Sequence, residues 1–277
     1  MRKIVRVILP SLIAAMFFMP LAVSIISINF DDGYRSDLVA KQIMDQYGFK
    51  ATAFIVVNPR CLGGAEGRMN PSEITLLYKD GWDIESHGYN HKRPKDLTHA
   101  EFAIQYNLSR DILNASWPTV TSYASPFSNV TSASMAQIRK YYKSQRCDGQ
   151  KIVFNRSNSF DRYYIQAFDV TDDMPMRTFE WAVNQAKGPD VWAVLVYHHV
   201  YNDPNSTWSV SEANFSEQMA YLHQANITVL TNRQVLDIWC NGNAIKAIVK
   251  TPAKNTTSVA IRYTKNVTIN TSPKSRK

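Results

Sequence analysis

Between residues 24 and 239 the chain alternates short apolar, β-rich runs with helical stretches, six or seven times over. Repeated βα steps build a parallel sheet, open or closed into a barrel, with helices covering its apolar strands. Ser24–Phe30, rich in Ile, opens the series as a buried strand. Ser36–Tyr47 reads as a helix stopped by Gly48, and Ala51–Val57 as the second strand. Asn70 and Pro71 start a helix that ends near Gly81, and Trp82–Ser86 is the third strand. Thr98 and Glu101 make a capping box ahead of a long helix toward Asn114. Thr119–Ala124 is expected as a strand, Ser132–Tyr142 as a helix, and Lys151–Phe154 and Tyr164–Phe168 as strands. Pro175–Lys187 then reads as a helix, Val191–Tyr197 as a strand and Glu212–Gln224 as a helix. Ile227–Leu230 is the last strand and Asn232–Trp239 the closing helix. No Gly-x-Gly-x-x-Gly or Gly-Lys-Ser/Thr loop follows any strand, so a nucleotide partner is not expected.

Charge narrows the partners further. The 277 residues hold 31 Lys and Arg against 23 Asp and Glu, a net charge of +8. Arg2, Lys3 and Arg6 stand at the start, and residues 246–277 carry eight positives and no acid. The stretch between is net −3 and so not basic, which argues against a nucleic-acid-binding face on the fold. The basic start and the apolar run Val7–Ala22 read as an export signal or an N-terminal membrane anchor over residues 1–23. Residues 24–240 form the folded body, and 241–277 a basic Lys/Thr/Asn-rich tail. Asn-x-Ser/Thr sequons begin at Asn107, Asn114, Asn129, Asn155, Asn205, Asn214, Asn226, Asn255, Asn266 and Asn270. With the signal they point to a secreted or cell-surface glycoprotein. Cys61, Cys147 and Cys240 make no metal pattern, and at most one bridge can form among them.

The chemistry-bearing residues gather at strand ends. The first strand ends in Asn29-Phe30-Asp31-Asp32-Gly33, the third in Ser86-His87-Gly88-Tyr89-Asn90-His91, and the fourth in Ala124-Ser125-Pro126-Phe127. A later one ends in Asp169-Val170-Thr171-Asp172-Asp173, and the strand Val191–Tyr197 in His198-His199. In a barrel, chemistry sits at these C-terminal ends. Adjacent carboxylates there need a compensating charge, which a metal ion supplies. One Asp oxygen and two imidazoles make a three-ligand site with an open position. Taken alone, Asp31-Asp32-Gly33 also suits a turn or helix cap, and His87/His91 a surface turn.

The set resembles the polysaccharide deacetylases with a NodB-like domain, carbohydrate esterase family 4, over about residues 25–240. Asn29-Phe30-Asp31-Asp32-Gly33 is similar to the family's Thr-Phe-Asp-Asp-Gly, and His87 and His91 to its His-Ser/Thr-x-x-His. Asp96-Leu97-Thr98 also looks like the family, and Val196-Tyr197-His198 keeps the His of its Leu-x-His. Ala124-Ser125-Pro126-Phe127 keeps the Pro and aromatic of Arg-x-Pro-Tyr/Phe but lacks the Arg. Asp169-x-x-Asp172 is followed by Asp173 where the family has Trp.

The resemblance implies an α/β fold, a distorted (β/α)7-type barrel. It implies a metal-dependent hydrolase that removes N-acetyl groups from a polysaccharide or oligosaccharide. Asp32, His87 and His91 would hold a divalent metal, zinc first, with cobalt or another divalent ion as alternatives. Asp31 would be the general base, and His198 the general acid, preferred over His199. Asp172, or else Asp169, would support His198. The Phe127 N–H would serve the oxyanion, with Pro126 and Tyr89 lining the substrate site. Tyr34 and Trp208 are further candidates for stacking on sugar rings. Ala124 cannot orient Asp31 as the family Arg does, and Gly88 removes a hydroxyl that would steady the His pair. Two other readings stay open: a sugar-binding glycoprotein that has lost catalysis, and an amide or cyclic-imide hydrolase on the same barrel.

Overall fold

The computed structural model describes residues 24–241, apart from 148, 150, 189, 204 and 205. The segment 1–23 and nearly all of the tail 241–277 lie outside the described residues. Among the described residues no helix is long and apolar enough to cross a membrane.

Strands β1 (Ile25–Phe30), β2 (Thr52–Ile55), β3 (Asp83–Ser86), β4 (Ser122–Ala124) and β5 (Ser144–Cys147) pair in that order, all parallel. The other edge of β1 takes Val191–Tyr197 in register from Ile25↔Trp192 to Phe30↔Tyr197. The circuit closes through Ile165–Asp169. Ile165–Gln166 pairs with β5, and past Ala167 the segment Phe168–Asp169 pairs with Val191–Tyr197. Seven strand positions therefore run round the barrel. Thr228–Val229 pairs with β1 at Ile25 and Ile26, whereas β2 joins only from Asn29, so the barrel is splayed between β1 and β2. The expected distorted (β/α)7 architecture is what the chain adopts.

Side-chain alternation along β1 decides what faces the lumen. Ile26, Ile28 and Phe30 enter the large core shared with the helices. Ile25 joins a smaller core with Ile165, Trp192, Val194 and Val196. Ser27 and Asn29 lie on the same face as Ile25, and both are satisfied. The Trp192 indole donates to Ser27 Oγ at 2.9 Å, which donates to the Leu230 carbonyl at 2.7 Å. The Asn29 and Asn232 amides exchange bonds of 2.9 and 3.0 Å. The next residue in that alternation is Asp31, at the mouth of the barrel.

Two sequence expectations are corrected. The strand Ser144–Cys147 was not anticipated, because Ser-Gln-Arg-Cys has no apolar period, yet all four residues are buried. Conversely, Lys151–Phe154 is not a strand. Ile152 and Phe154 pack against the core from a loop, and only Asn155–Arg156 pairs, antiparallel to Val191–Trp192. Asn155 itself is buried, and its amide donates to the Gln166 carbonyl at 2.8 Å and to the Trp192 carbonyl at 3.3 Å. A glycan on that nitrogen is incompatible with this packing, so the Asn155 sequon is structural. Asn155→Ala should cost about 1–3 kcal/mol in a urea titration, the range for orphaning buried polar groups. Asn205, Asn255, Asn266 and Asn270 lie outside the described residues. No disulfide joins Cys61, Cys147 and Cys240.

Candidate active site

β1 delivers two adjacent carboxylates by a sharp turn. The Asp31 N–H continues the ladder to the Tyr197 carbonyl at 3.0 Å. Asp32 then takes φ 72° and Gly33 φ 73°, so the chain reverses at once and the two side chains part. A Cβ on Gly33 would also meet Ile55 Cδ1 at 3.0 Å, so glycine is required there twice over. His91 and Phe127 also hold positive φ, 56° and 57°. Such strain in non-glycine residues collects where surroundings over-determine a functional geometry.

Asp32, His87 and His91 each offer one ligand atom within 4.8 Å of the others. His91 Nε2 lies 3.3 Å and His87 Nε2 3.8 Å from Asp32 Oδ1, a buried oxygen with no hydrogen-bond partner among the described residues. The other nitrogen of His87, Nδ1, lies 3.0 Å from the Ala124 carbonyl. That contact fixes the ring with Nδ1 as donor and leaves the Nε2 lone pair facing Asp32. Burial would push the Asp32 carboxyl up, but His87, His91, Arg68 and His198 outweigh it and hold it at about 2. Burial, then the neighbouring His87, lowers His91 to about 4. Near neutral pH both are in the form that ligates. A carboxylate oxygen that accepts no hydrogen bond, set between two imidazoles of which one has its tautomer fixed, fits a borderline divalent ion such as zinc.

Asp31 has a different partner. Arg146, fully buried on β5, places Nη2 at 2.6 Å from Oδ1 and 2.5 Å from Oδ2 of Asp31. The guanidinium also lies 5.0 Å over the Phe54 ring. His87 Nε2 stands 3.7 Å from Asp31 Oδ2, so this carboxylate borders the candidate metal site.

Residues 20–144 match a family model described as polysaccharide deacetylase. Over that stretch, which carries Asp31, Asp32, His87 and His91, the chain is similar to the polysaccharide deacetylases. Its fold is similar to that of a peptidoglycan deacetylase from Bacillus subtilis (16% identity, TM-score 0.56, covering 80% of this chain and 94% of that one). It is also similar to the Xyl-CE4 domain of a multidomain xylanase from the hindgut metagenome of Trinervitermes trinervoides (18%, TM-score 0.53, 78% and 90%). A further likeness is to a mutant of a CE4 family pseudoenzyme with restored enzymatic activity (12%, TM-score 0.51, 79% and 69%). No curated protein matches the sequence.

Against the pattern of that deacetylase family, the departures now have physical readings. Ala124 stands where the family has Arg, and its register partner on the neighbouring strand is Arg146. The cation has moved one strand over and reaches the same carboxylate. Gly88 takes φ 84°, and a Cβ there would lie 3.0 Å from the Tyr123 hydroxyl and 3.2 Å from Gln105 Oε1. Gln105 accepts from the Tyr89 and Asn90 N–H groups at 3.1 and 3.3 Å. Gln105 thus ties down the loop between the two histidines without the hydroxyl, so the expected loosening is not seen.

Other expected residues are placed less simply. Pro126 is buried and opens the turn that presents Phe127, whose side chain is 54% exposed and whose ring lies 4.6 Å from that of His91. Tyr89 is half-buried and packs one side against the large core. The His198 ring lies 4.9 Å from that of Trp208, while His199 packs 3.7 Å from Tyr34 and 5.0 Å from Tyr201. His198 Nδ1 is buried and has no hydrogen-bond partner among the described residues, so neither Asp172 nor Asp169 bonds to it. Asp172 is exposed, on a turn whose cavity is lined by Asp173, Met174, Asn214 and Gln218. The expected Asp172–His198 pair is not formed.

Arg68 was not anticipated. It donates to the Asp32 carbonyl, lies 3.3 Å from Asp32 Oδ1 and stacks 4.3 Å over Tyr34. The one sequence signal for both arginines is a cation count: two buried carboxylates at one strand end need more than two histidines.

Proposed function

We propose that this chain is an exported, metal-dependent deacetylase that removes N-acetyl groups from an amino-sugar polymer. One observation carries the reading. A carboxylate held by a buried arginine stands beside an Asp-His-His ligand set at the mouth of the barrel. Asp32, His87 and His91 would hold the ion. When bound there, a divalent metal, zinc first, acidifies water and polarises the acetyl carbonyl.

Asp31 takes the proton of the attacking water, with Arg146 fixing which way its oxygens point. The Phe127 N–H donates to the oxygen on which charge develops, and the buried Pro126 sets that turn. His198 returns a proton to the departing amine at Nε2. Trp208, exposed and with its ring 4.9 Å from that of His198, is the residue on which a sugar ring would stack. An export signal or membrane anchor over residues 1–23, as the basic start and apolar run suggest, would put the protein where such polymers are. The reading as a sugar-binding protein without catalysis drew on the missing motif arginine and tryptophan; Arg146 answers the first, while Asp173 still stands in place of the second. No observation favours a cyclic-imide substrate.

Acetate release from N-acetylglucosamine polymers tests the proposal. The wild type should release acetate, and Asp31→Asn should reduce release by about 100-fold or more, as for loss of a general base. Release by Asp31→Asn at the wild-type rate would remove Asp31 from that role. Release from no polymer would remove the activity.

A further inference from the structure

The exposed ring of Phe127 is not an open platform. Arg93 lies over it, with Cζ 4.3 Å from the ring centroid. Phe127 in turn reaches the candidate metal ligand His91, so Arg93, Phe127 and His91 form a short pile leading from solvent to the reacting centre. Arg93 is exposed and has no ion-pair partner among the described residues. Its neighbour Lys92 is committed to Glu101 at 2.6 Å. Stacking restrains the guanidinium plane while leaving its N–H edge open. A restrained guanidinium fork with no protein acceptor is suited to a planar anion, above all a carboxylate taken bidentately.

We infer that Arg93 is a specificity-determining residue, which binds a carboxylate carried by the substrate close to the acetamido group under attack. The substrate class is then an acidic amino-sugar polymer, with either an ether-linked lactyl group on the N-acetylated sugar or a uronic acid beside it. This rests on the deacetylase reading and refines it. The Phe127 backbone serves the acetyl group, while Arg93 on its ring reads the substituent.

The test compares three glycans: a neutral N-acetylglucosamine oligomer, one alternating with lactyl-bearing sugars, and one alternating with uronic acid. The wild type should prefer an acidic glycan. Arg93→Gln should lower the ratio of acidic to neutral kcat/KM by about tenfold to a hundredfold, the range for one charge-assisted bond. The loss should fall mainly on KM, and Arg93→Lys should recover only part of it. Which acidic glycan responds identifies the source of the carboxylate. No acidic preference in the wild type, or an equal fall on all three glycans in Arg93→Gln, would overturn the proposal. The second result would mean that Arg93 only packs Phe127. Calorimetric binding of the same glycans to wild type and Arg93→Gln reads the carboxylate contact without turnover. It separates a failed Arg93 proposal from a failed deacetylase reading.

Discussion

Arg146→Met should abolish acetate release and lower stability by about 3–5 kcal/mol, the range for breaking a buried ion pair by removing one partner. The two side chains are 0% and 2% exposed, so water cannot compensate the carboxylate left behind. The double variant Arg146→Met with Asp31→Asn separates the two effects. It has no buried charge to strand, so its stability should recover most of the loss. Its acetate release should not recover, because neither the base nor its holder is present. Arg146→Lys should also work poorly, since a single ammonium cannot reproduce a guanidinium contact fixed over Phe54. Urea midpoints and acetate release on the four proteins decide this. Near-wild-type release by Arg146→Met would show that Asp31 needs no such partner.

His87→Ala should weaken zinc binding by more than about 100-fold, the upper end for losing a mere supporting partner of a ligand. The variant loses a nitrogen donor and also the contact that ties the ring to the Ala124 carbonyl at 3.0 Å. Asp32 and His91 then remain as a two-ligand remnant, too few for a zinc site. The fold should survive, since one neutral hydrogen bond is worth about 1 kcal/mol. Metal content after dialysis reads the effect directly. Full zinc stoichiometry in His87→Ala would mean that the ligand set is drawn wrongly. His91→Ala is the control: it too should lose zinc, but it leaves the His87–Ala124 contact in place.

The sequence was most informative at strand ends. The Ile-rich β1 stops in Asp31-Asp32-Gly33 and β3 in His87-Gly88, and both ends lie in the site. β5 was illegible for a physical reason. Its Ser, Gln and Arg are buried against other polar groups, with Ser144 Oγ 2.6 Å from Ser122 Oγ and Arg146 on Asp31. Burial by pairing leaves no apolar period for a sequence to display. Ala124 therefore left open which group holds Asp31, and that group is Arg146 on the neighbouring strand. Asp172 misled. Its spacing from Asp169 suits the family motif, but it is exposed on its turn, and His198 Nδ1 has no hydrogen-bond partner among the described residues. The parallel sheet was readable from its central strands, because Val191–Tyr197 is a continuous apolar run, the signature of a sheet covered on both faces, while its closure into a barrel came with the family resemblance.

The most direct test of a metal-assisted, Asp31-dependent deacetylase is a zinc titration of the chelator-stripped full-length protein, followed by acetate release from N-acetylglucosamine polymers. Release should be absent without metal and rise until about one equivalent is bound, as for a single three-ligand site. Release that persists in the stripped protein, or none when one zinc is bound at Asp32, His87 and His91, would contradict the account.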